Sequence, residues 1–278
     1  MSLTVFLAVL AAALLHAGWN ALVRVGASRA GTMMVLSGVQ GVIGLVVVTA
    51  QPVPAAPVWP WIAASGVIHT AYKVFLTLAY EHGDLGRVYP LARGTAPMIT
   101  LVAGALWLGE AVRPTEAVGI LLLGSGILLL ARGVWTSGES RRMLPFAVGA
   151  ACATAGYTLV DGHGARLAVS STQFVGWLFV IDGLIFAAAM FALRGRAAVP
   201  PAGRVWLAGG IGAAASYGSY AVAVWAMTQA PIALVAAIRE TSILFAVLIG
   251  WLVLRERMSP AKALSVLMIA AGVALTRL

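Results

Sequence analysis

Ten stretches of about 20 apolar residues account for nearly all of this 278-residue chain: about 3–22, 32–50, 60–80, 87–108, 114–132, 144–161, 172–193, 205–228, 231–254 and 260–276. A helix needs about 20 apolar residues to cross a bilayer core about 30 Å thick. In lipid, only helices and closed barrels satisfy every backbone polar group. The longest connection, about 133–143, is too short for a soluble domain. The expected fold class is therefore an all-α polytopic membrane protein with ten transmembrane helices, whose work is done inside the bilayer. The first stretch carries no basic residue in Met1–Thr4 and runs on too far for a cleaved leader, so it reads as a permanent helix.

Composition agrees with the spans. The chain is 61% hydrophobic and 10% charged, with mean hydropathy +0.97, whereas soluble domains carry about a quarter charged residues. A soluble enzyme, a nucleic-acid binder and a disordered chain are excluded. The net charge of +9 rests on arginines scattered between apolar runs, the pattern of membrane loops rather than of a nucleic-acid surface. The lone Cys152 cannot form an intrachain disulfide. The excess of Arg over Lys, with 31 Gly, fits a GC-rich bacterial genome and so a bacterial inner-membrane location.

Loop charge predicts orientation. With ten spans, one side collects Arg24, Arg29, Arg87, Arg132, Arg141, Arg142, Arg194, Arg196, Arg204, Arg255, Arg257 and Lys262, and the other only Arg113, Arg166 and Arg277. The positive-inside rule then places both termini in the periplasm.

The chain also repeats itself. A shift of 146 residues carries Arg93-Gly-Thr95 onto Arg239-Glu-Thr241, and Gly104, Glu110, Pro114 and Gly126 onto Gly250, Glu256, Pro260 and Gly272. Nearer the two starts, Ala17-Gly18-Trp19-Asn20 is similar to Ala155-Gly156-Tyr157-Thr158. Two halves, 1–138 and 139–278, would hold five helices each. An odd number makes the second half enter the membrane from the opposite side, giving the inverted-topology repeat that recurs in secondary transporters.

These features resemble the drug/metabolite transporter superfamily, in its EamA-type branch of ten-helix carriers. The residues that carry the resemblance are the paired endings Leu108-Gly109-Glu110…Pro114 and Leu254-Arg255-Glu256…Pro260, with His16-Ala-Gly-Trp-Asn20 similar to one bacterial sub-branch. The resemblance implies transport of a small metabolite: export of amino acids or related zwitterions, or alternatively uptake or exchange of an organic anion such as a phosphonate or phosphorylated metabolite. A non-transporting scaffold or sensor is the alternative from another class.

Ionisable groups at bilayer depth cost at least about 2.5–3.5 kcal/mol on insertion scales and mark a functional interior. Helical spacing groups His16, Trp19 and Asn20; His69, Tyr72, Lys73 and Tyr80; Tyr89 and Arg93; Thr154, Tyr157, Thr158 and Asp161; and Tyr217 with Tyr220. The expected substrate-binding residues are Trp19, Asn20, His69, Tyr72, Lys73, Tyr89, Arg93, Tyr157, Tyr217, Tyr220 and Arg239. Arg93 and Arg239 are the sharpest, because a deep guanidinium cannot shed its charge and forks onto a carboxylate or phosphate. Arg239 has Glu240 as a ready partner, and Lys73 has Glu81. Glu240 and His16 are the proton-coupling candidates, Asp182 either joins the site or bonds a neighbouring helix, and Glu110 and Glu256 precede the proline-started helices, where a carboxylate favours a helix N-terminus. Trp59, Trp61 and Trp206 read as interfacial anchors. No catalytic residue, metal cluster or phosphate-binding Gly-x-x-x-x-Gly-Lys loop is present in the sequence, so no enzyme activity and no cofactor are expected. The expected partners are the substrate, the bilayer and a coupling proton, with the chain a monomer or homodimer.

Overall fold

The computed structural model describes residues 1–23, 29–82, 85–131, 141–200, 203–252, 255 and 258–277. Arg24, Arg132, Glu256 and Arg257 lie outside the described residues, as do the side chains of Trp19, Asn20, Arg29, Tyr80, Arg87, Tyr89, Arg141 and Arg204. Helices dominate, and no strand occurs among the described residues: α1 (Leu3–Val23), α2 (Arg29–Thr49), α3 (Trp59–His82), α4 (Leu85–Trp107), α5 (Pro114–Leu130), α6 (Leu144–Leu167), α7 (Ser171–Arg194), α8 (Arg204–Met227), α9 (Ile232–Arg239), α10 (Thr241–Leu252) and α11 (Pro260–Leu275). Among the described residues, six stretches are long and apolar enough to cross a membrane, the last of them Ile232–Leu252 across α9 and α10, and shorter apolar helices cover Leu3–Gly18, Pro114–Leu130 and Pro260–Leu275.

Local chemistry sets the helix ends. Pro114 and Pro260 each stand in the first turn of their helix, where a missing N–H costs nothing. The Glu116 carboxylate accepts from the Arg113 backbone N–H at 3.0 Å to close the start of α5, and Ser170 and Ser259 cap α7 and α11. The expected single helix over 231–254 is instead broken at Glu240. There the Glu240 N–H is shared between the carbonyls of Ala236 and Ala237, while the Thr241 hydroxyl donates to the Ile238 carbonyl at 2.7 Å. That tightening to i→i−3 bonds separates α9 from α10. On α4, Pro97 lacks the N–H that would otherwise reach the Arg93 carbonyl.

The bundle is inside-out relative to a soluble protein. Val46, Leu106, Leu184, Leu207 and Leu267 are exposed on its outside, whereas His69, Lys73, Arg93, Asp161, Asp182, Arg239 and Glu240 are buried. α5 lies along α11 and α2 along α7; α6 packs on α3 and α4, and α8 on α1 and α2, while α1 also meets α9 and α10. Glycines permit the closest approaches. A Cβ on Gly44 would stand 2.5 Å from the Gly176 carbonyl oxygen, and one on Gly119 would stand 2.7 Å from that of Gly272. Close backbone contact of this kind is how small residues join helices where lipid offers no hydrophobic drive.

Candidate functional site

Three aromatic and polar stripes converge between α3, α6 and α8. The three-and-four spacing of His69, Tyr72 and Lys73 puts them on one face of α3, as the spacing of Tyr157 and Asp161 does on α6. The His69 Nε2 lies 3.0 Å from Asp161 Oδ2. Tyr220 donates its hydroxyl to the same carboxylate oxygen and lies 3.3 Å from His69 Nε2. The His69 ring stacks on Tyr157 at 4.0 Å between centroids, and Tyr72 meets Tyr157 edge-on at 5.7 Å. Tyr217 stands one layer back, its ring 5.1 Å from Phe179, which in turn faces Tyr220 and His69.

Arg239, the last residue of α9, faces this cluster. Its guanidinium lies 5.3 Å from the centre of the Tyr220 ring, within cation–π range, and Nη2 makes a long contact of 3.4 Å to the Tyr157 hydroxyl. Arg239 is 4% exposed, yet its Nε and Nη1 meet no acceptor among the described residues. Asp161 is fully buried, and its Oδ1 likewise meets no donor. Each buried, unsatisfied polar group costs about 1–3 kcal/mol, more when charged. Arg239 adjoins the Tyr220 ring and Asp161 its hydroxyl, and the two unfilled edges ask for a ligand with an acceptor at one end and a donor at the other.

The other deep charges are engaged elsewhere. Arg93 Nε lies 2.7 Å from Glu240 Oε2, so the expected pairing of Glu240 with its neighbour Arg239 is corrected. Adjacent residues on a helix point about 100° apart, and Glu240 turns to α4 instead. Lys73 Nζ reaches Asp182 Oδ2 and Ser37 Oγ, each at 2.6 Å, and lies 4.7 Å over the Phe186 ring, so Glu81 is not its partner. That contact fixes Asp182 as a bond between α7 and α3. His16 on α1 stands within electrostatic reach of both Arg93 and Arg239. Trp19, Asn20 and Tyr89 belong to α1 and α4, but their side chains lie outside those described.

Glu110 also departs from expectation. It accepts from the Ile232 N–H at 2.8 Å, capping α9 rather than the adjoining α5, and pairs with Arg166 at 2.8 Å. Arg166 further donates to the carbonyls of Met227 and Ala230. The loop after α4, the end of α6 and the start of α9 are thus tied at one end of the bundle. Position explains the choice: α9 begins after Pro231 with free N–H groups and no side-chain cap of its own. The indoles of Trp59 and Trp206 each donate to a proline carbonyl in the segment before their helix, Pro54 and Pro200.

Comparison with known proteins follows the same outline. The EamA-like transporter family model matches twice, over residues 3–132 and 141–278. A solved structure described only as the crystal structure of a protein superposes with a TM-score of 0.76 at 20% identity, covering 99% of this chain and 98% of its own, which speaks to the fold alone. No curated protein matches the chain. With two matches that together span nearly its whole length, this multi-pass membrane protein belongs to the EamA-like transporter family, within the drug/metabolite transporter superfamily.

Proposed function

We propose that the chain is a secondary active transporter of the bacterial inner membrane that exports amino acids or related zwitterions by alternating access. The observation that carries the substrate class is the pair of unfilled edges beside Tyr220: the Nε and Nη1 of Arg239 suit a carboxylate, and Oδ1 of Asp161 suits an ammonium. Tyr72, Tyr157 and Tyr220 supply an aromatic wall for the rest of the ligand, with Tyr217 packed behind Phe179. Ten membrane helices arise when α9 and α10 count as one broken span, a feature at home in transporter sites.

The packing supports two inverted halves, 1–138 and 139–278. If the broken span α9–α10 answers to α4, and α11 to α5, then the contacts of α3 and α4 with α6 answer to those of α8 and of α9–α10 with α1. The pairs α2–α7 and α5–α11 join each helix to its own counterpart. Both termini are assigned to the periplasm from loop charge, which puts the Glu110–Arg166 tie on the periplasmic side.

Uptake or exchange of an organic anion is the second reading. Its first basis, the apparent excess of deep cations, is reduced because Lys73 and Arg93 are neutralised by Asp182 and Glu240; Arg239 is what remains for it. Counterflow in liposomes tests the proposal. Preloaded L-leucine should drive saturable accumulation of labelled L-leucine, and Arg239→Ala should abolish it. Flux that is absent across a full amino-acid panel, or that never saturates, would sink the transporter reading as stated.

A further inference from the structure

The two ends of the bundle treat their arginines differently. At the end that holds the start of α5 and the finish of α6, Arg113 pairs with Glu116 and Arg166 with Glu110, each at 2.8 Å, and Arg277 donates to the Met1 carbonyl. At the opposite end, where α7 passes to α8, the balance is lost. Residues 183–239 include Arg194, Arg196, Arg204 and Arg239 but no Asp or Glu. The side chains of Arg194 and Arg196 are exposed and meet no carboxylate among the described residues.

A built turn holds these two cations together. α7 ends on Gly195, whose φ of 55° is the left-handed conformation that closes a helix and whose N–H donates to the Phe191 carbonyl. A single 3₁₀ turn, Gly195–Ala198, then folds back on α7 and α2, with the Val199 N–H on the Arg196 carbonyl at 3.2 Å. Arg194 and Arg196 flank Gly195, so two positive charges leave one turn. The surface around them is apolar: Phe191, Leu193, Val199 and Leu207 are exposed, as is Trp206, whose indole is held on the Pro200 carbonyl. In a membrane-spanning bundle such aliphatic side chains face hydrocarbon, and an exposed indole marks the headgroup level. A water-soluble anion gains nothing from these surroundings. A phospholipid offers a phosphate to the guanidiniums and acyl chains to the apolar rim.

We propose that this corner binds an anionic phospholipid, its phosphodiester on Arg194 and Arg196 and its acyl chains along the exposed side chains of α7 and α8, past Leu184 and Ile211. A zwitterionic phospholipid carries its own ammonium and brings no net charge to match the pair. The site is separate from the Arg239–Asp161 cluster and does not depend on which substrate is carried.

Native mass spectrometry of the detergent-purified protein, titrated with dioleoylphosphatidylglycerol or dioleoylphosphatidylcholine, tests the site. The wild type should hold the first phosphatidylglycerol about tenfold more tightly than the first phosphatidylcholine. Arg194→Gln combined with Arg196→Gln should bring the two lipids to parity. The lipid-free unfolding midpoint should stay unchanged in that variant, since both side chains are exposed. Arg113→Gln removes a cation from the other end and should keep the preference. A preference that survives in the double variant, or that Arg113→Gln removes to the same extent, overturns the site. Equal binding of the two lipids by the wild type does so as well. Millimolar inorganic phosphate should leave bound phosphatidylglycerol in place; its displacement would assign the pair to free phosphate and overturn the lipid reading.

Discussion

Arg93 and Arg239 occupy matching places in the two halves of the sequence, 146 residues apart, and the folded chain uses them differently. Arg93 sits in a continuous α4 and closes on Glu240 at 2.7 Å. Arg239 ends the short α9, at a break, and keeps two guanidinium nitrogens without acceptors among the described residues. At the adjoining position the halves differ: where the first has Gly94, the second has Glu240. The added carboxylate serves the arginine of the other half and leaves its own neighbour to face Tyr157 and Tyr220. A repeat thus supplies two arginines, and local departures from it pair one with a carboxylate and leave the other as the proposed binding group.

The largest effect expected from this contrast is on stability. Arg93→Ala leaves Glu240 buried and unpaired, which costs about 3–5 kcal/mol. Detergent-solubilised protein should show a markedly lower unfolding midpoint, and Arg93→Ala combined with Glu240→Ala should recover much of the loss. An unchanged midpoint for the single variant would contradict this role of the pair. Arg239→Ala should behave in the opposite manner, keeping the midpoint while weakening L-leucine binding about 100-fold, or about 2.7 kcal/mol. Arg239→Lys should restore little, because an ammonium cannot present the planar fork.

Smaller changes sharpen the comparison. Tyr220→Phe removes the hydroxyl that orients Asp161 but keeps the ring under Arg239; calorimetry should find L-leucine binding weaker by about tenfold, or about 1.4 kcal/mol. Glu110→Gln weakens the cap on α9 and its pair with half-exposed Arg166, with an expected loss of about 1 kcal/mol in denaturant unfolding. A larger loss for Glu110→Gln than for Arg93→Ala would place the main tie between the halves at the bundle end rather than in its interior.

Periodicity and span length made most of the helices legible, because a bilayer allows few alternatives to an apolar helix of about 20 residues. The faces of α3 and α8 follow from spacing alone: His69, Tyr72 and Tyr220 meet around Tyr157, whereas Lys73 turns to Asp182. Spacing puts Asp161 on the face of Tyr157, but the expected binding set does not include it, and the expected span ends at residue 161. In the structure α6 continues to Leu167, and Asp161 lies well inside it, fully buried. Within Asp161-Gly-His-Gly the glycines serve close packing: a Cβ on Gly164 would stand 2.4 Å from the Phe174 ring. Partner choice was the least legible feature. The Arg93–Glu240, Lys73–Asp182 and Glu110–Ile232 contacts join residues more than 100 positions apart, and local spacing carries no information about them.

The most direct test of the central claim, that Arg239 and Asp161 are the two poles of a zwitterion site, is thermal unfolding of the purified protein with and without L-leucine. A ligand that binds the folded state raises the midpoint by mass action. The account predicts a concentration-dependent rise for the wild type and for Glu110→Gln, lost in both Arg239→Ala and Asp161→Asn while each remains folded. A rise that survives in either of those two variants would contradict it.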